Sequence, residues 1–376
     1  MAGVMTQVPR AERQRILEHI DFKEGQVLSR DLPKDTVLKH LILRLSGAVQ
    51  TTYASGTPIA NAESTFDSII SRIDVKINGG TTVKSVRPHL MHVQQLFSTL
   101  IQAERKAQAK AAAGIIPNPT TEGGFVYGTT GQFTEVAETV LVSFQNVYAK
   151  RYNHTQFGPE STWLNLKQVS SATVELSCGN FKSLQNEATS SVAVTYGPAN
   201  HTFKVHIQTV EAQDVPANFN FTIWKQTTRE VTFSGPVTDY AIDINKGNRL
   251  QGIMLFAKDG SNNKLASNLL IKDVALVLNG QTTIKKSRFL DLQADNRSRF
   301  GVDAKFAGGV SRLDGVAYLD FLQDGDISSA LEVMQPLVDN VQLVLSLHGN
   351  GDVPNLFDTG KSASITIETQ ELILPR

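Results

Sequence analysis

Cysteine is nearly missing. Cys178 is the single one among 376 residues, so no disulfide can form within the chain and the fold must stand on packing. Charge of one sign is missing as well. The 36 acidic residues balance the 36 basic ones, which argues against a protein held mainly by nucleic-acid phosphates, where a basic surplus is needed. No apolar run approaches the roughly 18 residues of a membrane-spanning helix. The opening MAGVMTQVPRAERQR lacks the apolar core of a signal peptide, so the chain is expected to be made in a cytoplasm and to stay soluble. Aromatic residues are only 7% of the chain, and tryptophan occurs only at Trp163 and Trp224.

Recognisable chemistry is also scarce. No GxSxG elbow, Walker loop or HExxH pair occurs. His89 and His92, three apart, could both face a metal from one helix, but no third ligand lies near them in sequence. His201 and His206 are an odd number apart and point to opposite faces of a strand. Asp320, Asp324, Asp326 and Asp352 sit in loops that could build a calcium site, although solvated loop acids are the commoner case. GGFVYG (Gly123–Gly128) and GNG (Gly349–Gly351) lie outside any strand–helix phosphate context and read as turns. Cys178 shares a strand face with Val174 and Leu176, as a small buried apolar residue does. Four Asn-x-Ser/Thr matches, at Asn153, Asn200, Asn220 and Asn296, read as ordinary loops without a secretory route. No catalytic, cofactor-binding or metal-binding residue is assigned, and the chain is not expected to be an enzyme.

What is present is a repetition. IDVKINGGTTVKSVR (Ile73–Arg87) returns as VALVLNGQTTIKKSR (Val274–Arg288), with Asn78, Gly79, Thr81, Thr82, Lys84 and Arg87 meeting Asn279, Gly280, Thr282, Thr283, Lys285 and Arg288. Upstream, Leu32–Leu43 matches Ile244–Leu255, placing Lys34 on Lys246. Downstream, Val174–Cys178 matches Leu343–Leu347, and Phe203–Glu211 matches Ala363–Glu371. Four matches in one order, half a chain apart, are too widely spaced for a solenoid and mark a tandem duplication of one fold.

The hydrophobic rhythm says which fold. Leu41, Leu43 and Leu45 share one face, and His40, Arg44 and Ile42 share the other, as in a strand with one buried face. Similar patterns mark Thr139–Tyr148, Ala172–Cys178, Ser191–Tyr196 and Thr202–Val210, and recur in the second copy. Leu90, Val93, Leu96, Phe97, Leu100 and Ile101 follow helical spacing, continued by the helix-forming Glu104–Ala113. A shorter helical counterpart follows Arg288, and Ile115–Ala137 reads as a long loop. Pro9–Ile20 is predicted as a short N-terminal helix, with Ile16, Leu17 and Ile20 on one side. The expectation is an all-β chain of two tandem eight-stranded jelly-roll β-sandwiches, with a helical insertion in the first. Its divisions are an N-terminal arm over 1–25, a first jelly roll over 26–211, a linker over 212–220 and a second jelly roll over 221–376.

Carried by Val37–Gly47, Ser68–Val86 and Asn268–Lys286, this organisation resembles the double jelly-roll major capsid proteins, the lineage of adenovirus hexon and of tailless phages with an internal membrane. The resemblance covers the chain from about Gln26. It implies a structural subunit of an icosahedral virion, working by geometry, that forms homotrimeric capsomers of pseudo-hexagonal outline and meets neighbouring capsomers and other capsid proteins. It further implies that the N-terminal helix lies beneath the capsomer, toward a viral membrane, with no direct nucleic-acid contact. The rival readings are a secreted tandem jelly-roll glycan amidase and a carbohydrate-binding protein. Both need aromatic platforms, for which the candidates are Trp163 and the junction residues Trp224, Phe219 and Phe221.

Overall fold

A computed structural model of the protein describes residues 11–54, 56, 58–60, 64–97, 125, 127–150, 157–186, 191–196, 201–216, 219–261, 264–300, 313–334 and 338–373. They divide into two compact units, one of residues 11–95 and 125–224, the other of Leu96, Phe97 and 225–373.

In the first unit the principal strands are β1 (Glu12–Asp21), β2 (Val27–Asp31), β3 (Val37–Gln50), β4 (Ile70–Ile77), β5 (Thr81–Val86), β6 (Phe133–Ser143), β7 (Ala172–Cys178) and β8 (Lys204–Ala212). They form two antiparallel layers, in the orders β1-β8-β3-β6 and β2-β7-β4-β5. The second unit has β9 (Ile223–Phe233), β10 (Tyr240–Asp243), β11 (Arg249–Lys258), β12 (Ile271–Leu278), β13 (Thr282–Arg288), β14 (Val316–Asp320), β15 (Val341–Leu347) and β16 (Ala363–Ile373). Its layers run β9-β16-β11-β14 and β10-β15-β12-β13. Each strand of one unit thus has a twin eight places later, in the same sheet position. That is the jelly-roll order, twice.

Alternation builds the cores. In β3, Leu41, Leu43 and Leu45 are fully buried, and in β7 Ala172, Val174, Leu176 and Cys178 point inward between half-exposed neighbours. The second core gathers Leu250, Ile253, Leu255, Leu276, Leu343, Leu345, Ile365 and Ile367.

The repeated Asn-Gly pairs are the turns of twin hairpins. Asn78 and Gly79 have φ of 51° and 77°, and Asn279 and Gly280 have 53° and 67°. Positive φ at both central positions defines the type I′ turn, whose twist suits a hairpin. One residue position also repeats as a bulge. The register slips after Val75 and after Leu276, leaving Val83 and Ile284 as the extra residues.

The retained Asn and Lys have a second task. The Asn78 side chain accepts from the backbone of Ser170, and Lys34 donates to the Ser170 carbonyl. In the other unit the Asn279 side chain accepts from Asp339, and Lys246 donates to the Asp339 carbonyl. One asparagine and one lysine therefore hold the loop that enters β7 or β15. Replacing Asn78 or Asn279 by Ala removes side-chain hydrogen bonds and the residue best suited to left-handed backbone, at an expected cost of about 2 kcal/mol each. Amide exchange should speed up at Ser170–Ser171 in the first variant and at Asp339–Asn340 in the second. Unchanged exchange in both would refute the clamp.

Two helices lie along sheet edges. Helix α1 (Thr65–Ile69) is capped by Ser64, whose side chain accepts from Asp67. Helix α2 (Pro88–Phe97) starts on proline, and α3 (Phe289–Phe300) buries Phe289, Leu292, Asn296 and Phe300 at helical spacing. From α2, His92 Nε2 meets the Thr139 carbonyl and Gln95 donates to Leu141, two carbonyls of β6. From α3, Gln293 donates to Val316 and Asn296 to Tyr318, two carbonyls of β14. Twin helices thus satisfy twin strand edges, which would otherwise present unpaired backbone.

Three sequence expectations are corrected. Pro9–Ile20 is not a helix over its described part: Glu12–Asp21 is strand β1, paired antiparallel with β8. Its apolar spacing imitates a helix because a bulge between Leu17 and Ile20 turns Ile20 into the core while Ile16 stays 82% exposed. A short isolated helix is marginal, whereas the open edge of β8 supplies a full ladder. The helix expected to face lipid thereby loses its basis. Strand β6 begins at Phe133, inside the expected loop, because the 14-residue β3 offers partners out to Gln50. Of Ser191–Tyr196, only Val194–Thr195 is strand, bridging Thr52–Tyr53. The Ala-rich Glu104–Ala113 and the loop over 115–124 lie outside the described residues.

Candidate functional site

The candidate residues do not assemble into a catalytic site. Cys178 is buried in β7, and burial pushes its thiol pKa up. His201 packs on Phe181 with ring centroids 4.8 Å apart, while His206 meets Ser46 Oγ at 2.9 Å. Asp320 pairs with Arg299 at 2.8 Å, and Asp326 caps a short turn at Ser328. Asp324 occupies a left-handed turn position, and Asp352 lies 3.5 Å from His348. These acids therefore hold loops individually. Burial raises the Asp320 carboxyl even though Arg299 opposes it.

His89 and His92 do find a third group, which sequence distance had hidden. Asp67, on α1, lies 3.7 Å from His89 Nδ1 and 3.5 Å from His92 Nδ1. Its neighbour Glu138 receives the backbone N–H groups of Thr65 and Phe66 at 3.0 and 2.7 Å, and burial raises its carboxyl. Among the described residues, no three such side chains are placed to hold a metal ion. The cluster ties α1, α2 and β6 together.

The aromatic candidates are occupied. Trp163 is 3% exposed and stacks on Phe219 at 6.1 Å, and Phe219 in turn packs on Phe221. Trp224 is 1% exposed. Lys84 Nζ sits 3.6 Å from its ring centroid, and Tyr148 meets it edge-on. Neither tryptophan offers the free face that sugar stacking requires. Sequence reading missed Lys84, fully buried in an otherwise polar-looking strand. Lys84 and Val86 pair with the core residues Val75 and Ile73, so alternation turns both inward, and the bulge leaves Val83 buried beside them.

A groove of about 720 Å³ in the second unit is lined by Lys225, Asp243, Lys246, Asn248, Asp339 and Glu371. Its charges already answer one another, since Lys246 bonds the Asp339 carbonyl and Lys225 lies 3.8 Å from Glu371. That second pair is itself a repeat, because Arg13 holds Glu211 in the same way at the twin position.

Surfaces remain. With β6 and β14 lined by helices, β1 ends one layer of the first unit and β13 ends one layer of the second. Ile16 on β1 is 82% exposed and Ile284 on β13 is 39% exposed, both large for monomer surface. The feature available for function is thus a pair of jelly rolls with open strand edges, which defines a double jelly-roll protein.

No known family signature matches this sequence, and no curated protein is detectably similar to it. Solved structures are. The major capsid protein of Sulfolobus turreted icosahedral virus superposes with a TM-score of 0.62 at 12% identity, covering 97% of this chain and 98% of that one. The capsid of the virus PBCV-1 gives 0.59 at 10% identity over 98% and 95% of the two chains. The major capsid protein P2 of bacteriophage PM2 gives 0.52 at 12% identity over 96% and 98%. At such identities the likeness establishes the fold, here over the full length of both jelly rolls.

Proposed function

We propose that the chain is the major capsid subunit of an icosahedral virion and that three copies form a capsomer of pseudo-hexagonal outline. The observation that carries this reading is the twinned strand order over nearly the whole chain, matched end to end by viral major capsid proteins. Two jelly rolls per chain and three chains give six similar bodies, which tile a hexagonal lattice. A threefold ring uses head-to-tail contacts, so the two repeats must differ where each meets the next chain. They do differ: β5 is largely buried and its twin β13 largely exposed. Neighbouring capsomers are the further partners, and the work is done by shape.

Light scattering on purified protein tests this. The expected mass is three times that of one chain, unchanged on dilution through the micromolar range, with hexagonal particles of about six lobes in negative stain. A monomer at tens of micromolar would sink the reading and send attention to soluble glycans.

A further inference from the structure

We infer that the open edge of β13 is an intersubunit docking edge whose occupant is strand β1 of a second copy of this chain. The inference deepens the proposed trimer and rests on it.

The argument starts from unequal twins. In β5, Val83, Lys84 and Val86 are 2%, 0% and 0% exposed. In β13, the twin residue Ile284 is 39% exposed, and Lys285 and Ser287, the twins of Lys84 and Val86, are half-exposed. The same hairpin, with the same turn and the same bulge, is covered once and bare once. A residue from the start of β9 does the covering at β5: Trp224, which falls within the first unit, lies over Lys84.

The twin of β9 identifies the missing cover. Strand β1 holds the corresponding place in its own layer, and the Arg13–Glu211 pair matches Lys225–Glu371. Within the first unit the cover is Trp224, one residue before Lys225; β1 of another chain, with Glu12 one residue before Arg13, would bring the equivalent position to β13. Repeated around a threefold axis, that contact closes a head-to-tail ring.

The two edges are chemically matched. Beyond β8, no described strand pairs with β1, and beyond β12 none pairs with β13. The outward face of β1 presents Glu12, Gln14, Ile16 and Glu18, and β13 exposes Ile284 at its bulge, followed by Lys286 and Arg288. Each edge exposes one isoleucine, with acids on one strand and bases on the other. Glu12 and Glu18 have partners within their own chain, Lys39 and Arg30, yet remain 47% and 72% exposed. Strand addition at an open edge supplies backbone hydrogen bonds, and alternate side chains set the match.

Disulfide trapping reads the contact directly, because the single native thiol, Cys178, is buried. Paired strands bring opposite residues within about 5.5 Å, inside disulfide range. Ile284→Cys is combined in turn with Gln14→Cys, Ile16→Cys and Glu18→Cys, so that a register offset cannot hide the contact. Each single variant serves as control, and mild oxidation is followed by a non-reducing gel. At least one double variant should run as covalent dimers and trimers, with the single variants staying monomeric on the gel. Ile284→Asp, at an exposed position, should weaken the trimer at least tenfold without altering the circular-dichroism spectrum. A trimer by light scattering with no covalent ladder in any pair, and with Ile284→Asp still trimeric, would overturn the β1–β13 contact and leave the capsomer reading standing. A monomeric parent protein would overturn both.

Discussion

Acidifying from pH 7.5 to 4.5 is expected to destabilise the fold by up to about 3 kcal/mol through His40 alone. His40 lies on β3 and its Nδ1 meets Ser143 Oγ at 3.1 Å. Ser143 gives its own proton to the Gln145 carbonyl, so Nδ1–H donates, a bond that the neutral and the charged ring can both make. Burial, helped by the charge of Lys39 next to it, lowers the His40 pKa from 6.5 to about 4. The unfolded chain therefore binds this proton more tightly than the folded one. The stability contributed by the neutral ring is full above pH 6.5 and is lost as pH falls from 6.5 toward 4, at about 1.4 kcal/mol per pH unit. Glu138 and Asp320 act in the opposite sense, since burial raises both carboxyls and favours the protonated folded form. A variant is needed to isolate the histidine. His40→Gln keeps a donor and cannot titrate. Its urea unfolding free energy should fall by about 2–3 kcal/mol less than the parent's between pH 7.5 and 4.5, at matched protein concentration. Equal losses in the two proteins would exclude His40 as the acid-labile group.

Gly47→Ala should cost about 3 kcal/mol. Gly47 sits inside β3 with φ of +142°, and a Cβ there would lie 2.5 Å from the Thr202 carbonyl oxygen and 2.9 Å from Phe203 Cα. Those are backbone atoms of the segment entering β8, so no side-chain rotation relieves the clash. That segment is also pinned: Thr202 N–H donates to the Ala48 carbonyl and Ala48 N–H donates to Thr202 Oγ1. Left-handed strain and overpacking therefore add. For a unit of this size the melting temperature should fall by roughly 6–12 °C. Gly351→Ala is the matched control, because a Cβ there meets nothing within 4 Å, and it should stay within about 0.5 kcal/mol of the parent. Equal melting of the two variants would show that β3 can move away from Thr202.

Much of the architecture was legible before any coordinates. The duplicated hairpin, its Asn-Gly turns and the alternating strands predicted twin jelly rolls, and all of these are local properties. Turn type follows from two residues that tolerate positive φ, and strand faces follow from a period of two. The helix after Asn78-Gly79 was equally visible in the spacing of Leu90, Val93 and Phe97. The terminal strand β1 was not. Its bulge makes a strand carry apolar residues at helical intervals, and only the unfilled edge of β8 selects the extended form.

The remaining misses share one cause. Asp67 reaches His89 and His92 from more than twenty positions away, and Trp224 reaches Lys84 from more than a third of the chain away. Charges and rings so distant in sequence leave no periodic trace. By itself, then, the chain determined that it would fold twice into the same sandwich, that no disulfide would staple it and that no familiar catalytic motif would appear. Only the tertiary structure decided which twin is covered. Exposure depends on what the rest of the molecule brings to a strand: two hairpins with the same turn and the same bulge end with different edges, Val86 buried in one and its twin Ser287 half-exposed in the other.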